Sequence, residues 1–363
     1  MEPRHGADAK SALARDAFPE RFAKEPPTFA RIAIGKYPTP VRELTHLSRG
    51  GCALWVKRDD LTHPLYGGNK VRKLEYILAD ARARGATRLV TIGAVGSHHV
   101  LATTLYGARE GFAVEAALLP QPKTDHVVEV VRAGLANGMR AMPAGGYAGV
   151  VMKVLPRVVG KDAYFVTVGG SSVVGSLGYV DGARELAAQV RAGEMPEPDL
   201  VVVALGSGGT VAGIAAGLEA EGMKSRVLGV VVAEPAWFVA WRARRLARAC
   251  LRRVGVRARR GWLEERLAID GRWLGAGYGY ATDAGTRAMT DAEREGLTLD
   301  PTYTAKTFAA ALDRVEAWGD EKGKSGTKTV LYWHTLSSAP VMPLLASAPN
   351  EEAIDAKVRE LFA

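Results

Sequence analysis

One lysine in this chain has the surroundings of a covalent attachment site. Lys70 follows residues 67–69 (Gly-Gly-Asn), and apolar residues recur after it at helical spacing. Glycines let the backbone pass close to a flat ligand, and a confined lysine can lose its proton near neutral pH. We expect the neighbouring cations Arg72 and Lys73 to lower its pKa further. The free amine can then form a Schiff base, although the same stretch would also suit a turn before an ordinary amphipathic helix.

A second segment has the composition of a phosphate-binding loop. It consists of Gly206, Ser207, Gly208, Gly209 and Thr210, between a predicted strand and a predicted helix. Its N–H groups and hydroxyls could hold a phosphate at the positive end of the helix dipole. The lysine of a nucleoside-triphosphate loop is absent, and Val211 replaces the third glycine of a dinucleotide fingerprint. We interpret it as a cradle for one phosphate monoester, with a plain tight turn as the alternative.

A third loop also leads into a predicted helix and carries Ser97, His98 and His99. Ser97 and the amides after it could bind a carboxylate, as helix N-termini bind anions generally. The adjacent histidines point in different directions at a helix start, and no further ligands cluster near them, so we predict no metal site. A hydrolase is disfavoured because the Gly-x-Ser-x-Gly motif is missing.

These three segments have one common explanation. Pyridoxal 5'-phosphate requires a lysine, a phosphate site and a place for the carboxylate of its amino acid substrate. The sequence therefore predicts this cofactor and a small amino acid substrate.

The elements that position these segments alternate between strands and helices. Strands are predicted at residues 53–57, 88–92, 113–119, 165–168, 200–205, 227–233 and 330–334. Helices are predicted from Lys70 to Gly85 and at residues 100–110, 125–137, 179–192, 210–220 and 237–262. Alternation with nearly continuous apolar strands is typical of an α/β fold with parallel sheets covered on both faces. A length of 363 residues favours two domains or one large unit.

Residues 1–35 read as a polar leader, which we expect to be partly disordered. Residues 1–24 contain no apolar segment of the kind found in signal peptides or membrane spans. Cys52 and Cys250 lie far apart without metal-type spacing, which fits a reducing compartment. We therefore expect a cytoplasmic protein without a membrane association.

The chain has a formal charge of +9 and a pI near 9.5, and the excess is concentrated between residues 242 and 260. A nucleic-acid-binding or scaffold protein is the alternative from another functional class, with nine arginines on phosphates. They are Arg242, Arg244, Arg245, Arg248, Arg252, Arg253, Arg257, Arg259 and Arg260. Such runs are more often a solvated helix face, so we expect nucleic acid not to be a partner.

Several segments, in the same order, resemble the pyridoxal-phosphate enzymes of the 1-aminocyclopropane-1-carboxylate deaminase and D-cysteine desulfhydrase family. They are Pro38-Thr39-Pro40, Lys57-Arg58-Asp59-Asp60, the stretch at 67–75, Gly169-Gly170-Ser171, the loop at 206–210, Tyr278-Gly279, Asp300-Pro301-Thr302-Tyr303 and His334-Thr335. The resemblance runs from about Pro38 to Ala346. It implies a two-domain, tryptophan synthase β-like fold (fold type II) and a homodimer. We expect the large cofactor domain at 36–83 and 181–363, and the small mobile domain at 84–180.

The resemblance also implies roles for individual residues. Lys70 would bind the cofactor and move the Cα proton, with Lys73 as its rival, and Asn69 would bond the phenolic oxygen. Residues 206–210 would hold the phosphate, and His98 occupies a position where the family usually has an asparagine that reaches the cofactor. Ser97 would face the substrate beside His98 and His99. Tyr278 and Tyr303 would line the substrate side of the ring.

Two positions bear on the reaction. The deaminases resemble Tyr-Glu at 303–304, where the carboxylate keeps the pyridine nitrogen protonated, but this chain has Thr304. A neutral hydroxyl favours β-elimination, as in the desulfhydrase branch, so D-cysteine giving pyruvate, ammonia and sulfide is the favoured reaction. The alternatives are deamination of aminocyclopropane carboxylate, racemisation, or dehydration of a hydroxy amino acid. After Thr335 the family usually has Gly-Gly, whereas residues 336–338 are Leu-Ser-Ser, which we expect to bring side chains toward the cofactor edge.

Overall fold

The computed structural model of this protein describes residues 29–233, 235–320 and 327–362. The predicted leader lies outside the described residues as far as residue 28. Its last part is packed: the N–H of Ile32 donates to the carbonyl oxygen of Glu75, and the N–H groups of Ile34 and Gly35 donate to the Glu75 carboxylate. The folded chain therefore begins before residue 36, because Ile32 and Ile34 also pack on the core.

Strands and helices alternate through most of the described chain. The strands are β1 (Val41–Glu43), β2 (Cys52–Arg58), β3 (Arg88–Ala94), β4 (Ala113–Leu119), β5 (Met139–Pro143), β6 (Ala163–Val166), β7 (Leu200–Leu205), β8 (Arg226–Val231), β9 (Leu267–Asp270) and β10 (Lys328–His334). The helices are α1 (Asn69–Ala83), α2 (His98–Arg109), α3 (Asp125–Ala136), α4 (Tyr147–Val158), α5 (Val173–Arg191), α6 (Gly209–Ala220), α7 (Ala236–Arg253), α8 (Trp262–Arg266), α9 (Asp283–Arg294), α10 (Thr304–Gly319) and α11 (Ala356–Arg359).

A six-stranded sheet forms the larger part of the fold, in the order β1-β2-β10-β7-β8-β9. All of its pairings are parallel except the edge pair β1–β2. Strands β7 and β8 are buried along nearly their whole length, because α5, α6 and α7 cover one face and α10 covers the other. Apolar runs without alternation are what a sheet covered on both faces requires. The predicted fold class is confirmed, with one antiparallel edge.

A second sheet has four parallel strands in the order β5-β4-β3-β6. The sequence analysis missed β5 and α4. Strand β5 contains only five residues, and α4 contains Pro156 and leaves Tyr147, Val151, Met152 and Leu155 exposed, so neither has the usual pattern of its type.

The chain returns to this second sheet after β10. Leu344 packs with residues of α1 and α2, and Ile354, Val358, Leu361 and Phe362 pack with residues of α3 and β4. The N–H of Gln121, just after β4, also donates to the carbonyl oxygen of Leu361. The division into domains at residues 83/84 and 180/181 stays a prediction.

The prediction of one helical segment over 237–262 was wrong. Helix α7 ends at Arg253, and the chain continues without helix to Gly261, where α8 follows. Gly255 (φ 76°) and Gly261 (φ 83°) adopt left-handed conformations, which end one helix and precede the next. Several arginines have internal partners, since Arg248 pairs with Glu264 and Arg259 with Glu265.

No helix among residues 29–233, 235–320 and 327–362 is long and apolar enough to cross a membrane. Both cysteines are free and buried.

Candidate active site

Helix α1 begins at the predicted lysine site. Lys70 is the second residue of the helix, and its Nζ donates to Asn69 Oδ1 at 2.8 Å. Burial lowers the pKa of Lys70 to about 8, against the opposing charge of Asp300. The amine therefore exists in part as a free base near neutral pH, as a Schiff-base lysine must.

Gly68 allows the chain to reach this position. Its φ is +86°, and a Cβ atom there would lie 2.6 Å from the carbonyl oxygen of Thr335. The N–H of Asn69 donates to that same oxygen at 3.0 Å. The lysine is thus fixed against the end of β10, so only glycine fits at residue 68.

Arg72 and Lys73, the two cations near Lys70 in the sequence, have different surroundings. Arg72 turns away and forms a buried cluster with Asp59 and Glu185, at distances of 2.8 to 3.0 Å. The expectation that Arg72 and Lys73 lower the pKa of Lys70 was wrong, because these two carboxylates compensate the charge of Arg72 and burial lowers the pKa of Lys73 itself. Burial is the cause instead.

The loop at 206–210 lies between β7 and the start of α6, as predicted. Its Ser207 Oγ is 2.7 Å from Ser171 Oγ, which also accepts from the N–H of Gly209 at 3.0 Å. The amide of Asn69 donates to Thr210 Oγ1 at 3.2 Å, so the loop and the lysine site meet. Gly208 has φ +94°, and a Cβ on Gly209 would lie 2.6 Å from Ser171 Oγ. A side chain at Gly209 would therefore close the cradle.

Lys73 lies beside this loop. It is 2% exposed, and its Nζ donates to the carbonyl oxygen of Gly169 at 3.0 Å and to Ser171 Oγ at 3.3 Å. Arg242 of α7 donates to the carbonyl oxygen of Ser171 at 3.0 Å. Burial, together with the charges of Lys70 and Arg242, lowers the pKa of Lys73 well below its usual range. A buried lysine with neutral partners is a site for an anion.

The predicted anion loop forms the start of α2. Ser97 caps this helix, its Oγ accepting from the N–H of Val100 at 3.4 Å. His98 faces Tyr66 and His126, whereas His99 is buried between Thr91 and Thr103. The two histidines therefore point apart, as predicted. His99 is 4% exposed, and its ring nitrogens already have hydroxyl partners.

Tyr278 and Tyr303 also meet, with their hydroxyl oxygens 2.5 Å apart. Tyr303 ends the Asp300 turn, whose carboxylate accepts from the N–H groups of Thr302 and Tyr303. Thr304, the first residue of α10, donates its hydroxyl to the same carboxylate at 2.6 Å and is 2% exposed. Its hydroxyl is thus committed to Asp300. Burial raises the pKa of Tyr278 and of Tyr303, so both hydroxyls keep their protons.

Comparison with known proteins identifies the family to which this chain belongs. Residues 32–335 match the family model described as pyridoxal-phosphate dependent enzyme. This chain belongs to that family. Its members use pyridoxal phosphate, so the predicted cofactor and the predicted enzyme class are confirmed.

Relatives of this family member have two different names. The chain is similar to D-cysteine desulfhydrase of Salmonella paratyphi C, at 33% identity over 86% of this chain and 95% of the relative. It is also similar to a Pyrococcus furiosus protein provisionally named 1-aminocyclopropane-1-carboxylate deaminase, at 34% identity over 85% of this chain and 92% of the relative. A solved structure titled as an ACC deaminase homologue matches with a TM-score of 0.74 and 28% identity, covering 87% of this chain and 97% of the other.

The residues of this pyridoxal-phosphate enzyme fit the cofactor. Lys70, Asn69, His98, Ser207 and Tyr303 are only half-buried, whereas most residues around them are fully buried. Asn69 joins Lys70 to Thr210 of the cradle, and the His98 and Tyr303 rings have centroids 6.4 Å apart, so an amine, an anion cradle and hydroxyl groups occur together. The sequence analysis missed Ser171 and Arg242 and treated Lys73 only as a rival of Lys70. Their roles depend on which distant segments meet at the loop, and local patterns carry no such signal.

Two serines of the departure at 336–338 have partners within the fold. Ser337 Oγ accepts from the N–H of Gly67 at 2.8 Å, and Ser338 donates to Asp60. Ser337 thus holds the turn before Lys70, a contact that a glycine at that position could not make. That residues 336–338 bring side chains toward the cofactor edge stays a prediction.

Proposed function

We propose that this enzyme catalyses β-elimination from a small amino acid, with D-cysteine as the favoured substrate and pyruvate, ammonia and sulfide as products. The observation that carries the proposal is the different surroundings of Lys70 and Lys73. Lys70 is half-buried and its amine is bonded to Asn69, while Lys73 is buried beside the anion cradle. Lys70 is therefore assigned to the carbonyl of the cofactor and Lys73 to its phosphate.

The cofactor, when bound, withdraws electrons from the Cα atom of an amino acid. The N–H groups at the start of α6, with Ser207, Thr210 and Lys73, would hold the phosphate, and Arg242 would add positive charge through Ser171. The Asn69 amide lies between Lys70 and Thr210, where it can bond the phenolic oxygen of the cofactor. His98 borders the same space.

The substrate is held between the start of α2 and the pair formed by Tyr278 and Tyr303. The start of α2, capped by Ser97, binds the carboxylate, because free N–H groups and the helix dipole favour an anion there. The amine of Lys70 would take the proton from Cα. The paired hydroxyls of Tyr278 and Tyr303 lie close to this space and limit the size of the side chain that leaves. The ring nitrogens of His99 already bond to the Thr91 and Thr103 hydroxyls, so His99 positions α2 and does not touch the substrate.

Thr304 supports elimination over deamination. The Asp300 carboxylate accepts bonds from its own turn and from the Thr304 hydroxyl, so neither residue offers a free carboxylate to a pyridine nitrogen. A ring nitrogen without an acidic partner favours reactions in which a leaving group removes the electrons. Deamination of aminocyclopropane carboxylate is the second candidate, since relatives carry that name too.

The enzyme is also proposed to be a cytoplasmic homodimer with a small mobile domain at 84–180. Two free, buried cysteines fit a reducing compartment. The small four-stranded sheet supports the domain assignment. Size-exclusion chromatography with light scattering tests the dimer.

An amino acid panel tests the reaction. D- and L-cysteine, D- and L-serine and aminocyclopropane carboxylate are incubated with the holoenzyme, and keto acid, sulfide and chirality are measured. Equal yields of sulfide and pyruvate from D-cysteine are expected. Turnover of aminocyclopropane carboxylate alone, or racemisation without keto acid, would refute the proposal, and Lys70→Ala serves as the blank.

A further inference from the structure

A continuous hydrogen-bonded chain of side chains runs through the site and is used by none of the roles above. Tyr66 OH bonds to His98 Nδ1, and His98 Nε2 lies 3.2 Å from His126 Nε2. The His98 and His126 rings have centroids 4.9 Å apart, and the Tyr66 and His98 rings 6.3 Å apart. A residue of the loop before α1, one of α2 and one of α3 thus connect through both nitrogens of one imidazole.

The chain leads from the interior toward solvent. Tyr66 is 2% exposed and directly precedes the glycines that position Lys70. His98 and His126 are half-buried, and His126 is the second residue of α3, where the neighbouring Asp125 is exposed. The His98 ring, to which Tyr66 bonds, has its centroid 6.4 Å from that of the Tyr303 ring at the active site, whereas His126 lies near the surface.

His98 has the protonation state that such a chain requires. Burial lowers the pKa of His98 to about 4; Asp300 opposes this effect, whereas His126 and Lys70 reinforce it. The imidazole is therefore neutral at neutral pH and has one N–H donor and one acceptor nitrogen. Both tautomers complete the chain: His98 either donates to Tyr66 and accepts from His126, or the reverse.

His99 provides an internal comparison. Its nitrogens face Thr91 and Thr103, and both of these hydroxyls are buried. The hydroxyls of Thr91 and Thr103 also donate to the carbonyl oxygens of Val166 and His99. These hydrogen bonds begin and end within the protein interior, so they have a structural role. The partners of His98 are instead a tyrosine and a second histidine, which can each give and take a proton.

We propose that Tyr66, His98 and His126 form a proton relay between the active site and solvent. His126 accepts a proton from water and passes its own proton to His98. His98 in turn passes one to Tyr66, and Tyr66 passes one to the departing group. Each residue ends with the number of protons it started with, so no buried charge remains. This inference rests on the proposed function only in that the site must exchange protons during turnover.

The test compares His126→Phe with the wild type, as holoenzymes. Phenylalanine keeps a ring against His98 but has no nitrogen, so the relay loses its outer end. We expect kcat to fall about tenfold, less than the loss for a group that transfers the proton itself, with KM unchanged. Added imidazole should restore turnover in a saturable way. His46→Phe, at an exposed histidine, is the matched control and should retain full activity.

Two measurements do not depend on the lyase reaction. Deuterium exchange at Cα of any amino acid that binds should slow in His126→Phe, even if no elimination occurs. In ¹⁵N-histidine spectra without substrate, the His98 ring nitrogens should shift in His126→Phe and stay in place in His46→Phe.

Tyr66→Phe removes the inner end and should reproduce the loss without rescue by imidazole. Unchanged His98 shifts in His126→Phe would disprove the relay, as would unchanged kcat and Cα exchange in that variant. Loss of activity that imidazole cannot restore in His126→Phe would instead show a structural role and overturn the proposal.

Discussion

The Nζ of Lys70 donates a hydrogen bond of 2.8 Å to the side chain of Asn69, the residue that precedes it. The Asn69 side chain also donates to Thr210 of the phosphate cradle, so Asn69 holds the Lys70 amine on the side of the cradle. Three residues later, Lys73 is held by Gly169 and Ser171 instead. The two lysines should therefore respond differently to substitution.

We predict that Lys70→Ala abolishes covalent attachment of pyridoxal phosphate, whereas Lys73→Met weakens cofactor binding but leaves attachment intact. Borohydride reduction followed by peptide mass spectrometry should find the cofactor on Lys70 in the wild type and in Lys73→Met. Lys73→Met removes an amine that a bound phosphate would stabilise in its charged form, so the cofactor Kd should rise at least about tenfold. Cofactor found on residue 73 of the wild type would reverse the assignment.

The pH dependence of cofactor uptake follows from the lowered pKa of Lys70. Only the unprotonated amine attacks a carbonyl, and burial places this pKa at about 8. The attachment rate of apoprotein should therefore rise with pH and level off above about 8 rather than near the ordinary lysine value. Stopped-flow absorbance at a series of pH values measures it. A rate still rising tenfold per unit at pH 9.5 would contradict the assigned environment.

The ion cluster behind α1 predicts acid sensitivity. Burial alone would raise the pKa of Asp59, but Arg72 and Lys57 hold it at about 2. A lowered carboxyl pKa stabilises the fold above the ordinary value near 4, and this contribution, about 2 kcal/mol, is lost as pH falls from 4 to 2. Urea unfolding across that window measures the effect.

Arg72→Met leaves a buried carboxylate without its partner. We expect it to lower the free energy of unfolding at pH 7 by about 3–5 kcal/mol. The exposed Arg82, which pairs with Glu110 on the surface, provides the control: Arg82→Met should change stability by less than about 1 kcal/mol. Equal effects of the two substitutions would argue against a stabilising cluster.

Gly68→Ala should destabilise the protein and impair cofactor attachment. Both a positive φ and the 2.6 Å approach to Thr335 oppose a side chain there. Gly85→Ala separates these effects, since Gly85 has φ +72° and nothing within 4 Å. We expect Gly85→Ala to cost about 1 kcal/mol with normal attachment, and Gly68→Ala to cost more and attach the cofactor slowly. Calorimetry and absorbance measure the two outcomes.

The sequence predicted the elements with strong local patterns. Strands β4 and β7 have the predicted bounds, and α1 and α6 begin within one residue of their predicted starts. It missed the start of α5 at Val173, because residues 171–178 are mostly serine, glycine and valine, which give no clear helical period. It also missed α4, whose apolar side chains face outward.

The site was predicted as three separate loops, and those loops do converge. The neutral environment of Lys73, the Asp300 bonds of Thr304 and the turn of Ser337 toward Gly67 could not be predicted. The contacts on which they depend join residues 98, 4 and 270 positions apart. Spacing along the chain specifies the residues present, while tertiary packing decides which atoms they meet.

The return of residues 341–362 to the four-stranded sheet has a mechanical consequence. The polypeptide passes between the two sheets after α1, again before α5 and once more after β10. A body joined by two links can swing freely about the line through them, but a third link away from that line resists the swing. If one sheet moved to open the space around Lys70, all three connections would have to bend, so the C-terminal segment would oppose that opening.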